Sequence, residues 1–312
     1  MLAVITIVAP VFGLIAIGYL AGRFRILPES AAHGISAFAF TLAIPALLCR
    51  TVATAEFGTL SPIGVWGSFY GAGLLNWLVA TLLTTKVLKR PTTDAPAIAM
   101  TATFGNTVML GVPLAIGTYG VEATAVIALV LSVHAPMWWL VGMLHAEATG
   151  DHSGHSTMQA VTTLLRDLVT NPIVIGILLG VAWRLTGFAM PKALDRLLEL
   201  MAQAGIPTAL VALGLSLVVF EIKGQAPTLT TAVALKLVFM PVIAWVLATY
   251  VFGLDPLARG VVVIMAAMPT GANAFLFATR LGRAVNSASG AVALGTLIAS
   301  ATAAAIVMSL MR

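Results

Sequence analysis

Charged residues are scarce in this 312-residue sequence, where Asp, Glu, Lys and Arg make up 9% and hydrophobic residues make up 60%. Soluble domains carry about 25% charged and about 45 to 50% apolar residues, so this composition excludes a soluble fold. A helix needs roughly 20 apolar residues to cross a hydrocarbon core of about 30 Å. The sequence therefore predicts an all-α integral membrane protein, and its length allows about ten transmembrane helices.

Cysteine is also scarce, since Cys49 is the only one in the chain. A single cysteine excludes an internal disulfide and provides no spacing typical of a metal cluster. The phosphate-binding pattern GxxxxGK[ST] and a DDxxD-like box are both absent from the sequence, which argues against ATP hydrolysis and diphosphate chemistry. We therefore predict that the chain is not an enzyme, with no catalytic residue, metal site or cofactor.

Acidic residues are absent from the middle of every apolar run. Sodium/proton antiporters and intramembrane aspartyl proteases need carboxylates at membrane depth, so both activities become poor candidates. The expected cargo is therefore an anion rather than a cation. Na+ or H+ stays open as a coupling ion.

The basic residues give a net charge of +5, but they occur singly or in pairs between apolar runs, as Arg23 with Arg25 and Lys89 with Arg90 do. Charges placed in this way set membrane orientation and do not form a nucleic-acid-binding patch. The links after odd-numbered runs hold nine basic residues and the opposite side holds six. This bias predicts a multi-pass protein of the plasma membrane (bacterial inner membrane), with both termini outside and the central link in the cytoplasm.

Ten apolar runs are separated by charges or turn residues, and we predict one transmembrane span for each. They cover about 2–22, 31–50, 62–88, 95–117, 121–146, 168–186, 194–220, 227–252, 256–279 and 287–310. The central polar link, 147–167, contains Asp151, His152 and His155. These histidines have no regular spacing, and together with His145 they are typical of a solvated loop.

The two halves of the chain resemble each other when the second is aligned on the first with an offset of 162 residues. The aligned pairs are Pro10 with Pro172, Gly18 with Gly180, and Pro45 with Pro207. Because each half has an odd number of spans, five, the second half must enter the membrane from the opposite side. We predict an inverted repeat with halves 1–148 and 167–312, joined by a cytoplasmic link at 149–166.

The fourth and ninth runs are symmetry mates, and each is interrupted near its middle. The fourth reads TFGNTVMLGVPLAIG and the ninth reads AAMPTGANAFLFA. Proline and glycine at such positions predict unwound segments, which are tolerated at membrane depth only where they are buried or line a wet cavity. The alternative is a pair of proline kinks used only for packing. The predicted substrate-binding residues at these breaks are Asn106, Thr107, Pro113, Pro269, Thr270 and Asn273.

One lysine and one histidine lie near the middle of predicted spans. Lys236 is well inside the eighth run, where a lysine costs roughly 2.5 to 3.5 kcal/mol on the gentler insertion scale, so we predict that it binds substrate. The alternative is snorkelling to the membrane surface. His134 in the fifth run could relay protons, or it could be a satisfied core histidine. Asp94 and Asp255 precede prolines at helix starts, and we predict that both are helix N-caps.

Several strings together resemble the auxin efflux carrier family, which includes plant auxin exporters and bacterial malonate and malate permeases. They are VAPVFGLIAIGYLAGR, FAFTLAIPALL, FGNTVMLGVPL, LKLVFMP, MPTGANAFLFA and GTLIASATA. The resemblance implies a fold like that of sodium/proton antiporters or bile-acid symporters, with spans 4 and 9 crossing at the substrate site. It also implies a scaffold domain of spans 1, 2, 6 and 7, and a transport domain of spans 3–5 and 8–10. The central link is shorter than in the plant carriers, which favours the small-carboxylate branch.

These observations predict a secondary transporter of small organic anions, such as malonate, malate or auxin-like acids, that works by an elevator-type movement. The first alternative is a sodium-coupled organic anion symporter of the bile-acid type. The second is a non-transporting membrane sensor with the same fold. The expected partners are a small carboxylate and the lipid bilayer, and a homodimer is left open.

Overall fold

The computed structural model describes residues 2–54, 60–150, 162, 166, 169–220 and 226–310. Regular structure in these ranges is helical, apart from one isolated bridge between Gly105 and Thr270. The helices are α1 (Leu2–Arg23), α2 (Glu29–Phe38, Ala39–Ala43 and Ile44–Thr54), α3 (Pro62–Leu82 and Leu83–Val87), α4 (Ala95–Thr103), α5 (Thr107–Gly111 and Val112–Tyr119), α6 (Thr124–Ala148), α7 (Pro172–Leu185), α8 (Lys192–Leu217), α9 (Ala226–Ala234, Leu235–Phe239, Met240–Val246 and Leu247–Val251), α10 (Pro256–Ala266), α11 (Ala272–Leu281) and α12 (Val285–Leu310).

Seven helical stretches of the described chain are long and apolar enough to cross a membrane. This confirms the prediction of an all-α membrane protein, whereas the number of ten spans stays a prediction. The stretch Thr107–Ala148 contains α5 and α6, which meet at Gly120, a residue with a positive φ of 72°. The fourth and ninth predicted spans do not appear as single long helices because each consists of two short ones: α4 with α5, and α10 with α11.

Short π-helical turns interrupt several of the long helices, which the sequence did not lead us to expect. Three of them, Ala39–Ala43, Thr107–Gly111 and Leu235–Phe239, end two residues before a proline. Proline has no amide hydrogen and its ring clashes with the carbonyl one turn earlier. A locally wider turn relieves that clash, and such turns occur often at functional sites. Pro207, which the internal repeat aligns with Pro45, lies in contrast within the continuous α-helix Lys192–Leu217.

Glycines allow two helix pairs to pack closely, α1 against α8 and α2 against α7. A Cβ placed on Gly18 of α1 would meet the backbone of Val211, and one on Gly180 of α7 would meet the backbone of Cys49. The offset of 162 residues converts Gly18 into Gly180 and Cys49 into Val211. The same glycine contact thus occurs twice, with the two halves of the chain exchanging roles.

The first half-helices of both broken spans lie at the centre of the molecule. Every residue of α4 is buried, and α4 is surrounded by α3, α6, α9, α11 and α12. Helix α10 packs against α3, α5, α6, α9 and α12. Buried backbone breaks at the ends of α4 and α10 are therefore shielded from lipid by protein on all of these sides.

The two predicted N-caps differ in the structure. Asp255 caps α10, because its Oδ1 accepts a hydrogen bond of 3.0 Å from the Ala258 amide. The prediction for Asp94 was wrong: its carboxylate makes no capping bond but forms an ion pair of 2.8 Å with Arg90, one helical turn earlier in the chain. The guanidinium provides a stronger, charge-assisted partner than the backbone amide would.

The central link is only partly covered by the structure. Asp151, His152 and His155 lie outside the described residues, as does most of 149–166. His145 is not part of a solvated loop, which corrects that prediction. It belongs to α6, and its Nδ1 accepts a hydrogen bond of 3.1 Å from Trp77 Nε1.

Substituting alanine for Gly18 tests the close packing of α1 on α8. We expect Gly18→Ala to lower the thermal unfolding midpoint of the purified protein, because the new methyl group would force apart two backbones at an overpacking cost of about 1 to 3 kcal/mol. Gly13→Ala is the matched control, since a Cβ at Gly13 has nothing within 4 Å. Equal midpoints for the two variants would contradict this packing.

Candidate functional site

The two helix breaks lie against each other in the core. Gly105, between α4 and α5, forms an antiparallel bridge with Thr270, between α10 and α11. The Asn106 amide donates to Pro269 O at 2.7 Å, and the Gly271 amide donates to Phe104 O at 2.9 Å. Interrupted helices leave backbone groups without intrahelical partners. Here each break supplies hydrogen-bond partners for some of the free backbone groups of the other.

Two glycines make this contact sterically possible. A Cβ on Gly271 would lie 3.1 Å from a ring carbon of Phe104 and 3.2 Å from the Gly105 carbonyl carbon. A Cβ on Gly105 would lie 3.1 Å from Lys236 Cε. Larger residues at these positions would separate the two breaks or displace the lysine.

The start of α5 presents unpaired polar groups. The carboxamide of Asn106, a residue 8% exposed, makes no hydrogen bond to the described protein. Thr107 is 1% exposed, and its hydroxyl is buried without a partner among the described residues. The amides of residues 107–109 have no acceptor within the same ranges, because the hydrogen bonds of α5 begin with the amides of Leu110 and Gly111.

The start of α11 is similar. Asn273 is half-buried, and in the described chain its side chain has no hydrogen-bond partner. The Ala272 and Asn273 amides also lack acceptors there, since the first bond of this turn is from the Ala274 amide to Gly271 O at 3.0 Å. A helix N-terminus carries a partial positive charge and free amides, so each of these starts favours an anion.

Lys236 lies on the α9 side of the paired breaks, in the π-helical turn Leu235–Phe239. It is 1% exposed, which is inconsistent with snorkelling. Its ammonium donates a hydrogen bond to Ala266 O, the last carbonyl of α10, and lies 3.3 Å from Met240 Sδ. No carboxylate of the described residues pairs with it. Among the described residues, the polar contacts of the amino group are thus a helix-end carbonyl and a thioether sulfur.

The other predicted site residues shape the breaks. The Thr270 hydroxyl donates to Thr101 O at 2.9 Å and is thus already occupied. Pro269 is buried, and its carbonyl accepts the Asn106 amide. Pro113 is buried near the start of Val112–Tyr119, directly after the π-helical turn of α5.

His134 is packed in an aromatic environment close to the break. It is 3% exposed, and its ring lies 4.7 Å from the Phe104 ring and 5.6 Å from the Phe69 ring, centroid to centroid. Neither imidazole nitrogen makes a well-formed hydrogen bond to the described residues, although the ring interacts with the Gly105 backbone. The proton-relay role of His134 therefore stays a prediction.

One residue at this site was missed by the sequence analysis. Asn76 of α3 is completely buried, and its Nδ2 donates to Ala102 O at 2.8 Å and to Thr103 Oγ1 at 3.2 Å. The internal repeat gave only an approximate signal for it, because the offset of 162 residues pairs Lys236 with Leu74, two residues before Asn76. An asparagine in an apolar run is a weaker sequence signal than a lysine, because it carries no charge.

The sequence of this chain is similar to those of known membrane transport proteins. The profile of the family described as Membrane transport protein matches residues 3–307. The "Putative malonate transporter" of Rhizobium meliloti (strain 1021) is 26% identical over 298 residues, which are 95% of this chain and 92% of that protein.

Two eukaryotic relatives are matched over less of their length. Auxin efflux carrier component 5 of Arabidopsis thaliana is 25% identical over 63% of this chain and 65% of its own. The Lysosomal cholesterol signaling protein of Mus musculus is 24% identical over 74% of this chain but only 28% of its own. The expected resemblance to auxin efflux carriers is confirmed.

The hydrogen bond between Thr270 and Thr101 should contribute to stability. Thr270→Val keeps the shape of the side chain but leaves the Thr101 carbonyl unpaired, at a cost of about 1 to 3 kcal/mol. We expect a lower thermal unfolding midpoint for this variant and a near-normal one for Thr270→Ser, which keeps the hydroxyl. Thr279→Val is the control, since this exposed hydroxyl bonds only within its own helix. A Thr270→Val midpoint equal to that of the control would contradict the assignment.

Proposed function

Because this chain belongs to the membrane transport protein family, that of the auxin efflux carriers, we propose that it is a secondary transporter of small organic anions. It is a multi-pass membrane transporter, not an enzyme, as the family and the Rhizobium relative indicate. The observation that carries the proposed substrate class is the pair of bridged breaks, from which two helices begin with unpaired amides.

A carboxylate is the ligand that these groups suit best. Free amides at helix starts bind anions, and the side-chain amides of Asn106 and Asn273 can donate further hydrogen bonds. Lys236 contributes positive charge from behind the breaks, through low-dielectric protein, and its own hydrogen bond to Ala266 O keeps it there. The name of the Rhizobium relative makes malonate the first substrate to test.

We further propose the ten-span inverted repeat, with spans 4 and 9 crossing at the bridged breaks. The exchanged glycine contacts of Gly18 and Gly180 support it, as does the matching position of the two breaks. In this proposal α1, α2, α7 and α8 form the scaffold, and the remaining helices carry the substrate past it in an elevator-type movement. The close packing of α1 on α8 and of α2 on α7 fits a rigid scaffold.

The proposed location is the plasma membrane, with both termini outside, on the basis of the distribution of Lys and Arg. For coupling to H+ we propose His134, a buried histidine whose ring packs against Phe104 of the first break. Coupling to Na+ is the alternative that the bile-acid symporter type would require.

Replacing either asparagine should abolish most transport. We expect Asn106→Ala and Asn273→Ala to reduce uptake of labelled malonate into proteoliposomes by about tenfold or more, because a hydrogen bond to a charged group contributes about 1.5 to 3 kcal/mol. Asn286→Ala is the control, since Asn286 is exposed at the start of α12. Uptake that persists in both site variants would show that the substrate binds elsewhere.

Removing the buried charge should also reduce transport. Lys236→Met keeps the length and apolar character of the side chain but removes the positive charge, so we expect a higher KM for malonate and slower uptake. Lys192→Met, at an exposed position, is the control. An unchanged KM would contradict the electrostatic role of Lys236.

Proteoliposomes and the purified protein also distinguish the two alternative functions, a sodium-coupled symporter and a non-transporting sensor. Uptake that stops when sodium is replaced by potassium would favour the sodium-coupled symporter. Malonate that raises the unfolding midpoint without any flux would favour a sensor, a reading to which the name of the mouse relative gives some support. Neither binding nor flux with a panel of small carboxylates would overturn the proposed substrate class.

A further inference from the structure

The breaks remove particular backbone donors, and particular side chains replace them. In an unbroken helix the Asn106 amide would bond to Ala102 O, one turn earlier. That amide donates instead to Pro269 O in the other break. The Ala102 carbonyl receives its hydrogen bond from Asn76 Nδ2, at 2.8 Å.

At the second break, too, a side chain replaces a backbone donor that the interruption removes. In an unbroken helix Ala266 O would accept from the Thr270 amide. In this structure Ala266 O accepts from the Lys236 ammonium. An offset of 164 residues relates the two carbonyls, and an offset of 160 relates their two side-chain donors. The donors stand on α3 and α9, the helices that precede the two broken spans.

We propose that Asn76 is a positioning residue of the transport cycle, the uncharged counterpart of Lys236. Together they hold the carboxyl ends of α4 and α10 and thereby fix where the bridged breaks lie. This inference rests on the proposed carrier function. Asn76 is 0% exposed, its donor group is already used, and its unpaired Oδ1 is an acceptor that does not suit an anion, so it acts through the backbone of α4.

The electrostatics of helix ends explain why such donors are needed. The carboxyl end of a helix carries a partial negative charge and free carbonyls, which would repel a carboxylate nearby. Water could bond to these carbonyls only by entering the buried site. The amide of Asn76 and the ammonium of Lys236 satisfy them from the protein side and leave the amino ends of α5 and α11 to face the anion.

The difference in charge between the two donors sets the net charge of the site. A lysine at both positions would place two unpaired cations in one buried region, and two asparagines would provide none. One asparagine and one lysine leave a single positive charge behind the bridged breaks. That charge matches a site that must bind an anion and also release it.

The test compares Asn76→Leu with wild type by three measurements on the purified full chain. This variant keeps the branched shape and the neutrality of the side chain but loses the donor to Ala102 O. We expect malonate uptake per folded transporter to fall about tenfold or more, while the apparent malonate Kd from thermal shift stays within about twofold. Hydrogen exchange of the amides at 104–106 should become faster, because the end of α4 has lost its anchor.

Two further variants make the result specific. Asn76→Gln keeps an amide donor on a longer side chain, so we expect it to restore part of the uptake rate. Thr84→Val is the matched control, because Thr84 is also buried on α3 but its hydroxyl bonds only to Ala80 O of the same helix. If Asn76→Leu does not fold, Asn76→Gln against Thr84→Val still decides the question by the same measurements.

Several outcomes would overturn the inference. A higher Kd with an unchanged maximal rate would make Asn76 a substrate ligand. Unchanged Kd and rate per folded molecule would reduce it to a purely structural residue. If wild type neither binds nor moves any carboxylate, the proposed function fails, but hydrogen exchange at 104–106 still tests the anchoring role of Asn76. Unchanged exchange there would refute that role.

Discussion

Backbone groups at membrane depth need partners inside the protein, and this constraint governs the centre of the molecule. Each broken span loses intrahelical hydrogen bonds at its interruption. The structure restores some of them in two ways: the breaks bond to each other through Asn106 and Gly271, and side chains on other helices donate to carbonyls near the breaks. The consequence is that two helix starts keep free amides at one place, which is the property that an anion site requires.

Close helix approach is the second requirement, because the bridged breaks can lie together only if their surroundings hold them there. Glycine provides it both at the site and far from it. Gly105 and Gly271 let the two breaks and Lys236 come together, whereas Gly18 and Gly180 let α1 and α7 lie directly on their partner helices. Packing between helices in a bilayer depends on such small residues, since lipid is as apolar as the helix surface.

A large part of this arrangement could be predicted from the sequence, for definite reasons. Hydropathy identified the membrane helices, and the matching prolines and glycines located the two breaks. Asp255 was identified as a cap because the signal for a cap is local. Asp94 has the same local pattern, but an ion pair with Arg90 takes its carboxylate. That competition depends on the direction of two side chains, which a linear pattern does not contain.

The sequence by itself determined that the chain lies in a membrane, that its fourth and ninth runs are interrupted, and that its buried charge is positive. These properties follow from composition and from the backbone chemistry of proline and glycine. Only the tertiary structure decided that the breaks bond to each other and that Asn76 and Lys236 each donate to a carbonyl at the end of the helix before a break. The physical reason is that a missing hydrogen bond can be read from a proline or a glycine, but the group that replaces it comes from another helix.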